Sequence, residues 1–241
     1  VTYPTPEVTG TCPPLKLVCV PASGRVFPVG ETTVTCTVTD VLGNKATCTF
    51  KVTVRPRPIE VDSFPRTVAE LTLQKPDNST EVVTVMGPTT VHVQIAPDGT
   101  GATDSDGDGR DQVDTEMVAL NLSGPSSMGL VTVNLNPNVP TLGQIEEQAN
   151  NTAGKLDLPP FTATGVADSF FDVFVEIQVA GQTLHPATPL HMAAVIRHKP
   201  PAPGDEYVNP FTQPVELLDA NGQPTGIKIV REVHTPRPVE V

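Results

Sequence analysis

Aromatic residues are scarce in this chain of 241 residues, which contains no tryptophan, two tyrosines and eight phenylalanines. Aromatic rings supply the large flat apolar faces on which ligands such as sugars stack. Their scarcity therefore counts against a carbohydrate-binding surface, although it leaves that role open as an alternative.

Positive charge and long apolar runs are also lacking. Fifteen lysines and arginines stand against 27 aspartates and glutamates, a formal net charge of −12. Nucleic-acid binding requires clustered cations to neutralise phosphates, so this composition excludes nucleic acid as a partner. No run approaches the 18 apolar residues that a transmembrane helix needs, so we predict no membrane span in this segment.

Proline and glycine are abundant, with 27 and 18 copies, and they separate short runs rich in threonine and valine. Many short alternating runs between turn residues are typical of β-sandwiches and barrels. The best candidate for a helix is Leu142 to Asn150, two turns at most. The sequence therefore predicts an all-β protein made of tandem β-sandwiches, with less than about 10% helix.

The clearest local pattern is a β-hairpin that ends at Val54. Val34, Cys36 and Val38 alternate with threonines, and alternation resumes after Asp40–Lys45, a turn that contains Gly43-Asn44. Period-two alternation predicts strands with one buried face, and Gly-Asn favours the turn between them. The two strands form an antiparallel pair that carries one cysteine on each arm.

The same stretch resembles the closing half of a HYR (hyalin repeat) domain. The matching residues are Gly24, Phe27-Pro28-Val29-Gly30, Thr33 to Thr37, Thr39-Asp40, Gly43-Asn44 and Cys48-Thr49-Phe50. The resemblance implies an immunoglobulin-like module of extracellular adhesion and matrix proteins, and it supplies no catalytic residue. It also implies that the opening strands of the sandwich are missing, so that either the natural chain is longer or a neighbouring copy donates a strand near Val1 to Glu7.

Four cysteines lie within the first fifth of the chain. This density on β-patterned sequence favours disulfides and an oxidising compartment. Zinc is the alternative, but the cysteine spacings lack the close pairs that zinc sites use. Three pairings are open, and the hairpin register mildly favours Cys36 with Cys48, which leaves Cys12 with Cys19.

The rest of the chain reads as one duplicated β-sandwich domain. Residues 1–54 form the partial HYR-like domain, and residues 55–58 form a Pro-rich linker of the semi-rigid kind. Residues 59–236 form the duplicated domain, because Asp62-Ser63-Phe64 recurs as Asp168-Ser169-Phe170 and two further matches follow in order. The halves are about 59–136 and 160–236. Residues 237–241 repeat the linker and strand start and predict the beginning of a next domain.

One loop carries a metal-binding pattern. Asp104, Asp106 and Asp108 alternate and are followed by Gly109, which lets a loop curl its carboxylates around a hard cation such as calcium. The carbonyl of Arg110 would add a ligand, and Asp114 or Glu116 would close the shell. The alternative is a solvated acidic loop without a metal.

These features predict a non-catalytic extracellular or cell-surface protein, structural or adhesive, from a tandem-repeat protein or fibre. No serine-nucleophile elbow and no cysteine–histidine pair with local context is present, so we predict no enzyme activity. Its partners would be neighbouring copies, domains of the same chain, and matrix or cell-surface components. The alternative is a carbohydrate- or protein-binding accessory module of a secreted enzyme.

Overall fold

Strands run through both parts of the chain, and along most of them buried and exposed side chains alternate. The computed structural model describes residues 1–9, 13–210 and 213–237, and within them it contains fifteen strands and no helix. The all-β prediction is confirmed. The strands are β1 (Lys16–Val20), β2 (Gly30–Thr39), β3 (Lys45–Val54), β4 (Glu60–Gln74), β5 (Thr80–Val93), β6 (Gln112–Ser126), β7 (Gly129–Leu135), β8 (Thr141–Glu147), β9 (Ala167–Val173), β10 (Val175–Val179), β11 (Gln182–Pro186), β12 (Leu190–Ile196), β13 (Tyr207–Val208), β14 (Val215–Leu218) and β15 (Pro224–Thr235).

The chain divides into two units, Val1–Pro56 and Arg57–Val241. The first unit is a three-stranded antiparallel sheet in the order β1-β2-β3. Its hairpin has the predicted register, with Cys36 opposite Cys48. Phe27, Val34 and Cys36 form the small apolar core of this unit, and Tyr3 packs against this core. The N-terminal segment is fixed by the Tyr3 hydroxyl, which donates to the carbonyl of Pro21.

The disulfide joins Cys19 to Cys36, not Cys36 to Cys48 as the hairpin register favoured. The central strand β2 has a neighbour on each side, and Cys36 lies opposite Cys19 of β1 as well as opposite Cys48. Cys48 is exposed and forms no disulfide with any residue that the structure describes. The accompanying Cys12–Cys19 prediction is also wrong, because Cys19 is bonded to Cys36; Cys12 itself lies outside the described residues.

The second, larger unit (the large unit) is one twelve-stranded antiparallel sheet, the large sheet, that closes on itself. Its order is β13-β12-β9-β8-β6-β5-β4-β15-β14-β11-β10-β7, and β13 also pairs with β15 while β6 also pairs with β7. This arrangement is consistent with the predicted β-sandwich class. The two additional pairings close the sheet at its margins. Two closed rings of eight strands result. The first ring is β13-β12-β9-β8-β6-β5-β4-β15, and the second is β7-β10-β11-β14-β15-β4-β5-β6.

Four long strands belong to both rings. β4, β5, β6 and β15 run past the first group of short strands and then past the second; β6, for example, pairs with β8 through its first half and with β7 through its second. Their registers shift partway along, as between Phe64 and Thr67 of β4, where Pro65 lies. A bulge is where a sheet tolerates proline, and it realigns inward-facing side chains. A continuous apolar core therefore fills both rings.

Three sequence-based expectations concern this unit. The proposed halves, 59–136 and 160–236, contribute strands to the same sheet, where β15 lies beside β4. The best helix candidate, Leu142 to Asn150, is largely strand β8, which pairs with β6 and β9. The expected next-domain start at 237–241 falls, except for Arg237, outside the described residues.

Candidate functional site

The acidic loop lies between Thr103 and Gln112, the first residue of β6, and these two residues pair as an isolated bridge. The carboxylate of Asp104 organises it by accepting three backbone N–H groups, from Gly107 at 2.7 Å, Asp108 at 3.1 Å and Gly109 at 3.0 Å. Gly107 and Gly109 have φ angles of 83° and 92°, which glycine adopts without strain. The sequence Asp-x-Asp-Gly-Asp-Gly thus curls this loop tightly around the Asp104 side chain.

The structure brings three of the predicted metal ligands together. Asp104, Asp106 and Asp108 each offer a carboxylate oxygen, and these oxygens lie within 4.8 Å of one another. All three side chains are exposed. Carboxylate oxygens are the ligands that calcium prefers, so this donor set fits a hard cation.

Arg110 already provides a positive charge in this loop. Its guanidinium Nε donates to Asp108 Oδ2 at 2.7 Å, and the same group forms an ion pair with Glu146 of β8. The hydrogen bond from Arg110 lowers the pKa of the Asp108 carboxyl, and burial raises the pKa of Glu146 against the opposing effect of Arg110. A cation at Asp108 would therefore compete with this guanidinium.

The remaining predicted ligands are the Arg110 carbonyl, Asp114 and Glu116. The Arg110 carbonyl accepts a hydrogen bond at 3.1 Å from the side-chain amide of Gln112, in the orientation that best satisfies that amide. Asp114 and Glu116 are exposed on β6, and Asp114 is paired with Arg57 at 3.4 Å. Neither belongs to the group that Asp104, Asp106 and Asp108 form.

A buried carboxylate cluster beside this loop was missed in the sequence. Glu147 of β8 accepts the backbone N–H groups of Asp111 at 3.1 Å and Asp157 at 2.8 Å. Asp157 in turn accepts those of Asn151 and Thr152. Burial is the main cause that raises the pKa of Glu147. These bonds fasten residues 148–158 to the sheet, and the sequence gives no sign of them because the donors are backbone groups.

A second missed feature is a buried ion cluster. Lys199 is only 1% exposed, and its Nζ lies 3.0 Å from Glu60 Oε1 and 3.0 Å from Asp62 Oδ1. Burial raises the pKa of Asp62, while Lys199 opposes that rise. Nearby in the fold, Tyr207 shares a hydrogen bond of 2.8 Å with Ser169, and burial raises the pKa of its phenol. The partners are too far apart in sequence for a local pattern to reveal them.

Comparison with known proteins identifies one part of the chain. Residues 1–54 match the HYR domain family, which confirms the resemblance seen in the sequence. No curated protein matches the chain. Within the described residues, no helix is long and apolar enough to cross a membrane.

One solved structure is similar over most of the chain: DynF from the dynemicin biosynthesis pathway of Micromonospora chersina. The two are 21% identical with a TM-score of 0.58, and the match covers 77% of this chain and 83% of that one. At this identity the similarity concerns the fold alone.

Proposed function

We propose, from the match of residues 1–54 to the HYR domain family, that this chain is a non-catalytic segment of an extracellular structural or adhesive protein. HYR domains occur in extracellular proteins and suggest an adhesion-type module. The Cys19–Cys36 disulfide supports the same compartment, because disulfides persist in oxidising surroundings. Neighbouring copies, and matrix or cell-surface components, are the partners that this role requires.

Surface labelling of intact source cells, detected with an antiserum against residues 57–237, tests this proposal. A membrane-impermeant amine reagent should label the protein before lysis, and Cys19 and Cys36 should resist alkylation until a reductant is added. A cytosolic protein in the same cells is the control for lysis. Protein that is labelled only after lysis, with Cys19 and Cys36 reduced, would contradict an extracellular role.

We also propose that calcium stabilises the acidic loop through Asp104, Asp106 and Asp108. The close approach of their oxygens supports this, because a cation would relieve the repulsion among them. Arg110 would then release Asp108 and remain on Glu146. The role of the ion is structural, since the loop joins two parts of the large sheet.

Calcium at about 1 mM should raise the thermal midpoint by roughly 3–8 °C if it binds with a dissociation constant of about 10–100 μM. Asp106→Ala with Asp108→Ala should abolish the rise, as measured by differential scanning calorimetry with and without chelator. Asp98→Ala with Asp219→Ala is the matched control, because it removes the same charge from two other exposed loops. If the chelator does not change the thermal midpoint of the unmutated protein, the loop is an acidic loop that binds no stabilising calcium.

A further inference from the structure

The interior of the first ring contains a cavity that every strand of the ring helps to line. Eight strands enclose a space that side chains can just fill, or that can hold one small ligand. Here the cavity has a volume of about 50 Å³. One water needs roughly 10–15 Å³ on this measure, so the space exceeds that of a single buried water.

Most of the cavity wall is apolar, and three of its polar side chains are threonines. Thr67, Thr89 and Thr115 line the cavity on β4, β5 and β6, and they are 3%, 5% and 2% exposed. None of their hydroxyl groups has a hydrogen-bond partner. An unsatisfied buried hydroxyl is unfavourable, and valine has nearly the same shape without that cost. Three such hydroxyls around one cavity indicate a molecule that hydrogen-bonds to them.

The wall also contains side chains that can move. Met117 of β6 and Met192 of β12 line the cavity, and methionine is unbranched and adapts to differently shaped neighbours. The other two methionines lie elsewhere: Met86 is exposed on β5, and Met128 is in the turn between β6 and β7. The cavity can therefore widen for a guest slightly larger than its resting volume.

Asp62 and His234, the acidic and the basic side chain of the cavity wall, already have partners within the protein. Asp62 is bound to Lys199 at 3.0 Å, and His234 is bound to Glu232 at 2.7 Å. Glu232 Oε2 has no hydrogen-bond partner and would repel an anion, but Glu232 does not line the cavity and so offers a cationic guest no contact at the wall. A charged guest would lose its hydration without gaining a free counter-charge, so the site suits a neutral molecule.

We propose that the first ring binds a small neutral molecule with an aliphatic body and a hydroxyl group, that is, a short-chain alcohol. The hydroxyl bonds to the threonines, and the aliphatic part lies against Phe64, Val91 and Val173. The residues that line the cavity include none of the acidic loop and none of residues 1–54, which match the HYR family. The site gives the large unit a binding role whether or not the chain is adhesive.

Titration with 1-butanol, followed by NMR of the full chain labelled with 13C in the methionine methyl groups, tests the proposal. The Met117 and Met192 signals should shift and saturate, while the Met86 signal stays in place. Butyrate and butylammonium, the charged analogues, should leave all four signals unchanged. The proposal is overturned if the Met117 and Met192 signals do not move, or if they drift without saturation together with the Met86 signal.

Thr89→Val tests the role of the hydroxyls and keeps the shape of the wall. It should weaken 1-butanol binding about 3–10-fold, which corresponds to one hydrogen bond. Thr84→Val, on the exposed face of the same strand, should leave binding unchanged. Equal affinity in Thr89→Val and the unmutated protein would show that the threonines do not recognise the guest, and would overturn the assignment. Unshifted Met86 and Met128 signals in the variants verify the fold.

Discussion

Lys199→Met should lower the free energy of unfolding of the large unit by about 3–5 kcal/mol, because it leaves the buried Asp62 and the half-buried Glu60 without their counter-charge. Glu60 and Asp62 each lie 3.0 Å from the Lys199 ammonium, and Glu60 Oε2 has no other partner. Urea unfolding followed by tyrosine fluorescence measures the loss. The chain has no tryptophan and two tyrosines, so a Tyr3→Phe background makes Tyr207 report on the large unit alone.

The loss in free energy of unfolding that Lys199→Met causes should depend on pH. Burial already raises the pKa of Asp62, and without Lys199 it must rise further. A carboxyl whose pKa is raised by folding favours the folded state below its unfolded pKa of about 3.9, and this contribution is lost as pH rises through the folded value. The difference between Lys199→Met and the unmutated protein should therefore be large at pH 7 and should shrink towards pH 4.

Two controls separate charge from packing. Lys199→Met combined with Glu60→Gln and Asp62→Asn should recover much of the loss, since no unpaired charge remains. Lys228→Met breaks a partly exposed pair with Glu216 and should cost no more than about 1 kcal/mol. If Lys199→Met were no more destabilising than Lys228→Met, the buried ion cluster would contribute nothing to stability.

Gly124→Ala should destabilise the large unit by roughly 3 kcal/mol or more, because the new methyl group has no space. A Cβ at Gly124 would lie 1.9 Å from the Thr84 carbonyl oxygen, and a Cβ at Gly87 would lie 1.9 Å from that of Asn121. β5 and β6 therefore approach closely where both strands belong to the second ring. The neighbour is backbone and cannot move aside as a flexible side chain would.

The matched control is Gly222→Ala. Gly222 has a φ of 75° and nothing within 4 Å of its would-be Cβ, so its substitution measures conformational strain alone. That strain should cost about 1–2 kcal/mol. Urea unfolding of both variants in the Tyr3→Phe background gives the comparison. Equal losses would mean that the close approach of β5 and β6 relaxes at little cost.

Local patterns identified local structure well. Alternation and Gly43-Asn44 predicted the β2–β3 hairpin in its observed register, and the residues from Gly24 to Phe50 identified the HYR family. The alternating aspartates predicted a loop whose three carboxylates meet. Each of these features depends on residues that are close together in sequence, where turn chemistry and side-chain period act directly.

Features that depend on distant partners could not be predicted in the same way. Cys36 bonds to Cys19 because β2 is a central strand with two neighbours, whereas the hairpin pattern shows only the neighbour that follows it. Leu142 to Asn150 has a composition that suits a helix, yet pairing with β6 and β9 holds Thr141–Glu147 as a strand. Tertiary context overrides weak local propensity when both edges of a segment find partners.

The sequence by itself therefore determined the all-β class, the HYR unit and the acidic loop. The tertiary structure decided the closure of the large sheet, the Lys199 cluster and the three unpartnered threonines around one cavity. Closure brings β13 to β15 and Lys199 to Asp62 across 137 positions of sequence. Period-two alternation states only which side of a strand is buried. Which strands face one another across the interior is set by long-range hydrogen bonding and packing, and these leave no local trace in the sequence.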